Sequence, residues 1–342
     1  MKVHARRICT APMMDWSDRH CRYFFRQLSQ RALVYTEMIT TGALIHGDAA
    51  RHLRFRDEES PIALQLGGSD PTELASCARL GEQWGYDEIN LNCGCPSERV
   101  QHGAFGACLM AEPELVASCI TAMREAVGIP VTVKHRMGID QIEDFDFARR
   151  FVEALANAGC RTFIVHARNA VLKGLSPKDN REIPPLRYAD VYRLKCAFPE
   201  LTIVINGGIG SWAQIEQHLT YVDGVMLGRA AYHNPYLLAE ADHQMHSDAP
   251  KPTRAQVVNA MYRYARQELV QGTSFRAIAR HMLGLFHGQQ RARLWRQMLC
   301  DAPRLGSNDP ELLLEALEAV GLDGAERPVH AFACADAPSA HL

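Results

Sequence analysis

The chain has 342 residues, of which 47% are hydrophobic and 22% are charged, so it can bury one large core and a smaller one and is neither disordered nor fibrous. Its formal net charge of -2 at pH 7 provides no overall attraction to nucleic acid or to an anionic membrane. No stretch approaches the roughly 18 to 20 apolar residues of a membrane span, and no apolar targeting segment follows the N-terminal arginines. We therefore expect a soluble cytoplasmic protein without a membrane partner.

Short β-branched runs alternate with helical patterns along the first two thirds of the chain. Eight runs are present, at 8–11, 33–36, 62–66 and 88–92 and ending at Lys134, His166, Asn206 and Gly228. This alternation predicts βα units and a parallel sheet. Eight units of this length are typical of a (β/α)8 TIM barrel, to which we assign residues 1–245. A doubly wound sheet, the alternative, favours a glycine-rich turn after the first strand, where this chain has Ala-Pro-Met-Met.

Polar side chains close several of the predicted strands. They are Gln65, Asn92, Lys134, His166 and Asn206. In a barrel the carboxyl ends of the strands converge on one face, where active sites lie. An ammonium group at the end of a buried strand needs a partner, because an unpaired buried charge is unfavourable. For Lys134 an ion pair with Glu37, a Schiff base and a hydrogen bond to an electron-rich cofactor remain open.

Glycine-rich turns follow the seventh and eighth predicted strands. Asn206, Gly207 and Gly208 form the first turn, and Gly228 and Arg229 form the second. Backbone N–H groups at this place in a barrel commonly hold phosphate. A phosphate site beside a ring of polar side chains favours flavin mononucleotide (FMN), because a flavin needs donors at its pyrimidine edge. Pro12, Met13 and Met14 offer an apolar floor for such a ring.

Two cysteines follow the fourth predicted strand, in Asn-Cys-Gly-Cys-Pro at 92–96. A thiol there would lie over the barrel mouth and could act in catalysis. Cys93 and Cys95 could also pack as small residues or form a metal pair. No second Cys or His pair at finger-like spacing accompanies them, so we expect no metal site.

The strand signals stop after about residue 245, and the proline-containing segment at 248–253 is typical of a linker. We predict a helical domain over 253–322 and a disordered tail over 323–342. Between 253 and 300 the chain carries eight arginines and one acidic residue, Glu268. This basic stretch contrasts with the acidic balance of the remaining chain.

Taken together, these segments closely resemble the tRNA-dihydrouridine synthases of subfamily A. The resemblance covers roughly residues 7–300 and rests on APMMDWSDRHCR, LQLGG, NCGCP, GLSPKDNREIPPL, INGGI and GVMLGR. It implies a (β/α)8 barrel with a C-terminal helical domain. It further implies reduction of uridines in the tRNA D-loop, at positions 20 and 20a, by an FMN enzyme that takes electrons from NADPH. We expect a monomer.

The resemblance assigns roles residue by residue. Pro12, Met13 and Met14 would lie along the flavin, and Gln65, Lys134 and His166 would hold its ring system. The phosphate and ribityl chain would contact Asn206, Gly207, Gly208, Gly228 and Arg229. Cys95 matches the proton donor, since hydride transfer to carbon 6 of uracil leaves a carbanion at carbon 5 that an acid must protonate. A thiol with its ordinary pKa of about 8.5 is mostly protonated at neutral pH.

The resemblance also predicts contacts with the tRNA. Asn92 would recognise the uracil edge after base flipping. The other matching positions are Lys178, Arg181, Arg293 and Arg296. The basic helical stretch agrees with this independently, because arginines neutralise phosphates and interleaved aromatic residues can stack on bases. Those aromatic residues are Tyr262, Tyr264, Phe275, Phe286 and Trp295.

Three rival hypotheses remain. One is a flavin barrel enzyme that acts on a small molecule, against which the arginine-rich stretch argues. A second is a class I aldolase that forms a Schiff base at Lys134 and needs no flavin. The third is an RNA-binding protein or chaperone without chemistry.

Overall fold

Eight parallel strands form the centre of the protein. The computed structural model describes residues 7–97, 105–142, 144–246 and 251–321. Its strands are β1 (Ile8–Thr10), β2 (Val34–Thr40), β3 (Ile62–Gly67), β4 (Glu88–Cys93), β5 (Val131–Arg136), β6 (Thr162–His166), β7 (Thr202–Asn206) and β8 (Gly224–Leu227). Each strand coincides with a predicted β-branched run to within a few residues.

Helices follow the strands around the barrel and continue beyond it. The barrel part contains α1 (Arg19–Leu28), α2 (Thr41–Ile45), α3 (Ala49–Leu53), α4 (Pro71–Gln83), α5 (Pro113–Ala126), α6 (Phe145–Asn157), α7 (Tyr188–Ala197), α8 (Trp212–Leu219), α9 (Arg229–His233) and α10 (Tyr236–Met245). Beyond it lie α11 (Arg254–Val270), α12 (Phe275–Ala279), α13 (Ala292–Cys300), α14 (Ala302–Gly306) and α15 (Leu312–Ala319). Short 3-10 turns occupy Asp57–Glu59, Gly106–Ala111, Asp179–Arg181 and Arg280–Met282.

The sheet closes on itself. Neighbouring strands pair in the order β1-β8-β7-β6-β5-β4-β3-β2, and a parallel bridge between Cys9 and Leu33 joins its two edges. Backbone bonds of 3.0 Å from Thr10 N to Leu33 O and 3.1 Å from Leu33 N to Ile8 O complete that junction. The predicted (β/α)8 barrel followed by a helical region is thus confirmed.

Alternation along the strands separates an interior set of side chains from an exterior set. The small interior cluster consists of Cys9, Ala11, Leu33, Tyr35, Ala63, Ile164, Val204 and Met226. The large apolar core lies between the barrel and its helices and extends into the C-terminal region. Because the interior is narrow, polar side chains that follow the interior set at the carboxyl ends meet at the mouth.

The C-terminal helices pack directly on the barrel. The part of the predicted linker at 247–250 and the predicted tail at 323–342 lie outside the described residues, and the predicted domain boundaries stay predictions. No helix in the described ranges is both long enough and apolar enough to cross a membrane. The helix α11 begins at a capping box in which Thr253 and Gln256 exchange hydrogen bonds.

Buried charge joins α11 to the barrel. The carboxylate of Glu268 is 1% exposed and pairs with Arg19 at 2.5 Å and Arg56 at 3.3 Å. Burial opposes ionisation of Glu268, but Arg19 prevails and lowers its pKa. The phenol of Tyr264 lies 2.7 Å from Nδ1 of His20, and its ring stacks on Tyr23 with centroids 4.0 Å apart. These contacts fix the helical part against α1.

A second contact of this kind lies at the start of α1. The side chain of Asp18 caps α1 by accepting hydrogen bonds from His20 N and Cys21 N. The same carboxylate pairs with Arg280 at 2.5 Å and with His281 at 3.0 Å. Burial favours the neutral acid, yet the hydrogen bond and charge of His281 hold the pKa of Asp18 well below its usual range. Asp18 therefore links the barrel to the C-terminal helices through its charge.

Replacing Asp18 with Asn keeps a capping oxygen and removes the charge. We expect the free energy of unfolding to fall by about 1.5–3 kcal/mol at pH 7, the usual range for hydrogen bonds to charged groups. The pKa of Asp18 is lower in the folded than in the unfolded protein. The wild-type advantage is therefore present above about pH 4 and is lost as the pH falls below it.

Urea unfolding of both proteins between pH 7 and pH 3 measures this dependence. Asp146→Asn is the matched control, because the Asp146 carboxylate meets Arg149 on the exposed surface of α6. We expect that variant to unfold like wild type. A stability deficit of Asp18→Asn that stays constant down to pH 3 would contradict the role given to its charge.

Candidate active site at the barrel mouth

The predicted polar residues meet at the carboxyl end of the barrel. Asn92 on β4 is in register with Lys134 on β5, and His166 on β6 is in register with Asn206 on β7. The Asn92 amide donates to Gln65 Oε1 at 2.9 Å. Five strands thus bring to one place side chains that lie up to 141 positions apart in the chain.

The loop after β4 holds a thiol above this ring. Asn92 Oδ1 accepts hydrogen bonds from Gly94 N at 3.1 Å and from Cys95 N at 3.0 Å. The Cys95 carbonyl accepts from Ala107 N at 2.9 Å. The half-buried thiol of Cys95 donates to Ser97 Oγ at 3.5 Å. The asparagine that was predicted to read the substrate therefore also fixes the backbone of Cys95.

Cys93 has a different environment from Cys95. Its side chain is fully buried in the outer apolar core, and burial raises the pKa of its thiol far above the usual value. Both thiols are free. Alternation along β4 turns Asn92 inward and Cys93 outward, so the structure does not bring Cys93 and Cys95 together.

Lys134 lies among cations and has no acidic partner among the described residues. Burial and, to a lesser extent, the neighbouring charge of Arg136 lower its pKa to about 7, whereas Cys95 acts in the opposite direction. Within the described residues its ammonium group forms no ion pair and no side-chain hydrogen bond. Glu37, the partner considered from the sequence, accepts a hydrogen bond from Asp15 N instead. The mouth thus presents a free amine that an anionic or electron-rich ligand would satisfy.

His166 also lacks a partner. Its Nδ1 atom is buried without a hydrogen bond among the described residues. Burial lowers the pKa of His166 far below the usual value, and the charges of Arg136 and Lys134 act in the same direction. A neutral imidazole with an unused ring nitrogen can donate to or accept from a ligand.

The turn after β7 requires glycine for conformational and spatial reasons. Gly207 has φ of +115° and Gly208 has φ of +72°, a region that side chains with Cβ avoid. A Cβ on Gly207 would lie 3.3 Å from His166 Nε2, and one on Gly208 would lie 2.9 Å from Leu186. The turn therefore keeps backbone close to the ring of polar side chains. Tyr188 OH donates to the Gly207 carbonyl at 2.6 Å and holds the turn in place.

The remaining residues that were predicted to contact the cofactor differ in their exposure and in their partners. Met13 packs against the interior cluster, whereas Met14 is 57% exposed. Asn206 is buried and donates to the Met226 carbonyl at 2.8 Å. Arg229 forms an ion pair with Glu182, so a phosphate bound there would compete with that carboxylate. The amine, the unpartnered imidazole and the glycine turn together fit a ligand that carries a phosphate and an electron-rich ring.

Arg136 lies beside the candidate site and was missed by the sequence analysis. Its guanidinium is 4% exposed and donates to the carbonyls of Gly94 at 3.0 Å, Asn169 at 3.0 Å and Asn180 at 2.9 Å. It thereby ties the Cys95 loop to the segment that carries Arg181. Side chains alternate along a strand, so Arg136, two residues after Lys134, also points into the barrel. This alternation could have identified Arg136 from the sequence.

The four basic residues predicted to contact the tRNA are exposed, whereas Asn92 is buried at the mouth. Lys178 and Arg181 lie in the loop after β6, on the same end of the barrel as the mouth. Arg293 and Arg296 are exposed on α13, three positions apart, so they share one face of that helix. Lys178 and Arg181 thus adjoin the mouth, whereas Arg293 and Arg296 belong to the C-terminal helices.

The prediction that aromatic residues of the helical stretch form a stacking surface for bases is wrong. The five aromatic residues of the helical stretch are all buried, with exposures of 0 to 5%; they are Tyr262, Tyr264, Phe275, Phe286 and Trp295. The indole N–H of Trp295 donates to the Met282 carbonyl at 2.9 Å inside the core. Amphipathic helices turn large apolar side chains toward their neighbours, and this packing outweighs any role for these rings at the surface.

Comparisons with known proteins agree in pointing to one family. The family model described as "Dihydrouridine synthase (Dus)" matches residues 9–320. A tRNA-dihydrouridine(20/20a) synthase of Synechocystis sp. is 58% identical over 93% of this chain and 95% of its own length. Proteins with the same description from Pseudomonas syringae pv. tomato and Vibrio cholerae are 56% and 52% identical, over 91% and 93% of this chain and 93% and 98% of their own lengths.

Replacing Lys134 with Met tests the unpaired amine in protein freed of any bound ligand. The pKa of Lys134 is about 7 in the folded protein and about 10.4 in an unfolded chain. The unfolded chain therefore binds the additional proton between these values, and wild-type stability rises as the pH increases from 7 to 10. We expect Lys134→Met to be about 1–3 kcal/mol more stable than wild type at pH 6.

This advantage should shrink as the pH approaches 10. Urea unfolding at pH 6 and pH 9.5 measures it, with the exposed Lys178→Met as the matched control for loss of a lysine. A Lys134→Met protein that is less stable than wild type at pH 6 would show that the amine has a favourable partner.

Proposed function

The chain belongs to the dihydrouridine synthase family, and we propose that it reduces uridines 20 and 20a of tRNA to dihydrouridine, as a member of subfamily A. The names of the relatives and the motif resemblance support these positions. The observation that carries the proposal is the barrel mouth, where a half-buried thiol lies over an amine, an imidazole and two amides. We further propose that FMN is the prosthetic group and NADPH the reductant.

The mouth contains the groups that would hold a flavin. Lys134 and His166 are unpartnered there, and Gln65 keeps a second amide hydrogen beyond those used inside the barrel. The glycine turn at Gly207 and Gly208 would admit the phosphate, with Arg229 beside it. When bound, the flavin supplies the hydride that uracil accepts at carbon 6. An amine near its ring would stabilise the negative charge that reduction places there.

Cys95 would complete the reduction by giving a proton to carbon 5 of uracil. Its backbone is held by Asn92 and Ala107, so the thiol has a fixed position above the ring. A proton donor must lie within reach of the carbon that it protonates, and a fixed loop satisfies this better than a mobile one. The amide of Asn92 beside it would recognise the uracil edge.

The tRNA would be bound through its phosphates. A uridine must leave its stack to enter the barrel mouth, which requires the surrounding RNA to be held. Lys178 and Arg181 would do so next to the mouth, and Arg293 and Arg296 would do so from α13. Each arginine can bind a phosphate in a bidentate manner, independently of sequence.

An anaerobic redox experiment tests the proposed function. Purified protein, loaded with FMN if necessary, is reduced with NADPH and mixed with unmodified tRNA. We expect the flavin absorbance to bleach and then recover, with dihydrouridine formed in the tRNA. Cys95→Ala should bind tRNA nearly as well as wild type but form dihydrouridine at least about 100-fold more slowly, the scale of losing a general acid.

Cys196→Ala removes an exposed thiol on α7 and is the matched control. A folded protein that cannot take up FMN would refute the flavin assignment. Flavin that is reduced but ignores tRNA would indicate a small-molecule reductase, and full turnover by Cys95→Ala would refute the role of Cys95.

Arg293→Gln together with Arg296→Gln tests the contribution of α13. We expect tRNA affinity to fall about tenfold at 0.1 M salt and the slope of log affinity against log salt to flatten by roughly 1 to 2, because two phosphate contacts are lost. The rate at saturating tRNA should not change. Arg79→Gln, an exposed arginine of α4, is the control. An unchanged salt slope in the double variant would exclude these arginines from the interface.

A further inference from the structure

A chain of hydrogen-bonded side chains runs through the barrel interior and ends at the mouth. Asn92 Nδ2 donates to Gln65 Oε1 at 2.9 Å, and Gln65 Nε2 donates to Asn90 Oδ1 at 2.7 Å. Asn90 Nδ2 donates to Thr132 Oγ1 at 2.8 Å, and Thr132 Oγ1 donates to Glu88 Oε1 at 2.5 Å. Every member is buried, with at most 8% exposure. The chain therefore joins two mouth residues to three residues deeper in the barrel interior.

All the donors along this chain point in the same direction, and the groups at its two ends require that direction. At the lower end a carboxylate has only acceptors, so the Thr132 hydroxyl donates to Glu88 and must accept from Asn90. The phenol of Tyr35 donates to the same Glu88 oxygen at 2.7 Å. At the upper end the backbone N–H groups of Gly94 and Cys95 both need the oxygen of Asn92.

The direction of the chain fixes how two amides face the mouth. A reversed Gln65 would place its NH2 group against the NH2 group of Asn92 and its oxygen against the oxygen of Asn90. In a dry interior two such unsatisfied contacts are strongly unfavourable. The Thr132 hydroxyl is the only link between Asn90 and the Glu88 carboxylate among the bonds described above. Losing it would leave the direction of the chain fixed from the mouth end alone, so the amides of Asn90, Gln65 and Asn92 would be held less firmly.

We propose that Thr132 is a positioning residue of the reaction site, acting through Asn90 on the amides of Gln65 and Asn92 and thereby on the loop that carries Cys95. This inference rests on the proposed function only in taking the mouth as the reaction site. Thr132 is 1% exposed and lies on β5 below Lys134, so it acts through other residues and is not itself catalytic.

Three substitutions isolate the hydroxyl of Thr132. Thr132→Val removes it at nearly constant volume, and Thr132→Ser retains it. Thr10→Val makes the same chemical change at a fully buried threonine of β1, whose Oγ1 has no hydrogen-bond partner among the described residues. Should Thr132→Val fail to fold, Thr132→Ala removes the hydroxyl with less demand on packing and takes its place.

The first readout needs neither cofactor nor substrate. In ligand-free protein we expect amide hydrogen exchange at Gly94 and Cys95 to become at least about tenfold faster in Thr132→Val, because the Asn92 oxygen that protects them has lost its anchor at the lower end of the chain. Thr132→Ser and Thr10→Val should exchange like wild type. Equal exchange in Thr132→Val and Thr132→Ser overturns the proposal, whatever the activity of the enzyme.

The second readout is the kinetics of dihydrouridine formation. We expect Thr132→Val to lower kcat about tenfold while KM for tRNA changes less than about twofold, since positioning acts after binding. Thr132→Ser should restore kcat. A fall confined to KM, or no rescue by Ser, overturns the positioning role. If wild type forms no dihydrouridine, the proposed function fails, and the exchange measurement still decides the inference.

Discussion

Closure of eight parallel strands into a barrel is the constraint on which the site depends. Closure gives the sheet one narrow interior, and alternation sends every second residue of each strand into it. Polar residues at those positions have no route to solvent except the mouth. Gln65, Asn92, Lys134 and His166 therefore meet because of where they lie on their strands. Below them, the apolar set from Cys9 to Met226 and the hydrogen-bonded side chains of Asn90, Thr132 and Glu88 fill the interior.

The same closure makes burial of the polar groups at the mouth energetically unfavourable. Burial and neighbouring cations disfavour the charged forms of Lys134 and His166, so the site holds groups that a ligand must satisfy. Compensation lies elsewhere, where carboxylates meet cations at short range. Glu268 pairs with Arg19 at the junction with α11, Asp18 pairs with Arg280, and the pKa of each carboxylate is lowered despite its burial. These ion pairs lie at the junction between the barrel and the C-terminal helices.

The strands and the mouth could be predicted from the sequence because both depend on local pattern. A β-branched run marks a strand, and the polar residue at its end marks the mouth, as at Lys134 and His166. Arg136 and Thr132 were missed because their importance comes from partners on other strands and loops. The partners of Arg136 are the carbonyls of Gly94, Asn169 and Asn180. The partners of Thr132 are Asn90 and Glu88. Such partners become visible only once the strands are in register.

The arginines of the C-terminal helices show why composition alone overstates an RNA surface. Arg254 donates to the Leu285 carbonyl, Arg280 pairs with Asp18, and Arg291 donates to the Ala319 carbonyl. These three hold the fold together, and the aromatic residues between them fill the core. Arg293 and Arg296 on α13 are exposed and, among the described residues, form no ion pair or side-chain hydrogen bond, so each retains a guanidinium for phosphate. A basic stretch therefore contains two kinds of arginine. The partners of each guanidinium, which the sequence does not show, separate the arginines that hold the fold together from those that remain available to a phosphate.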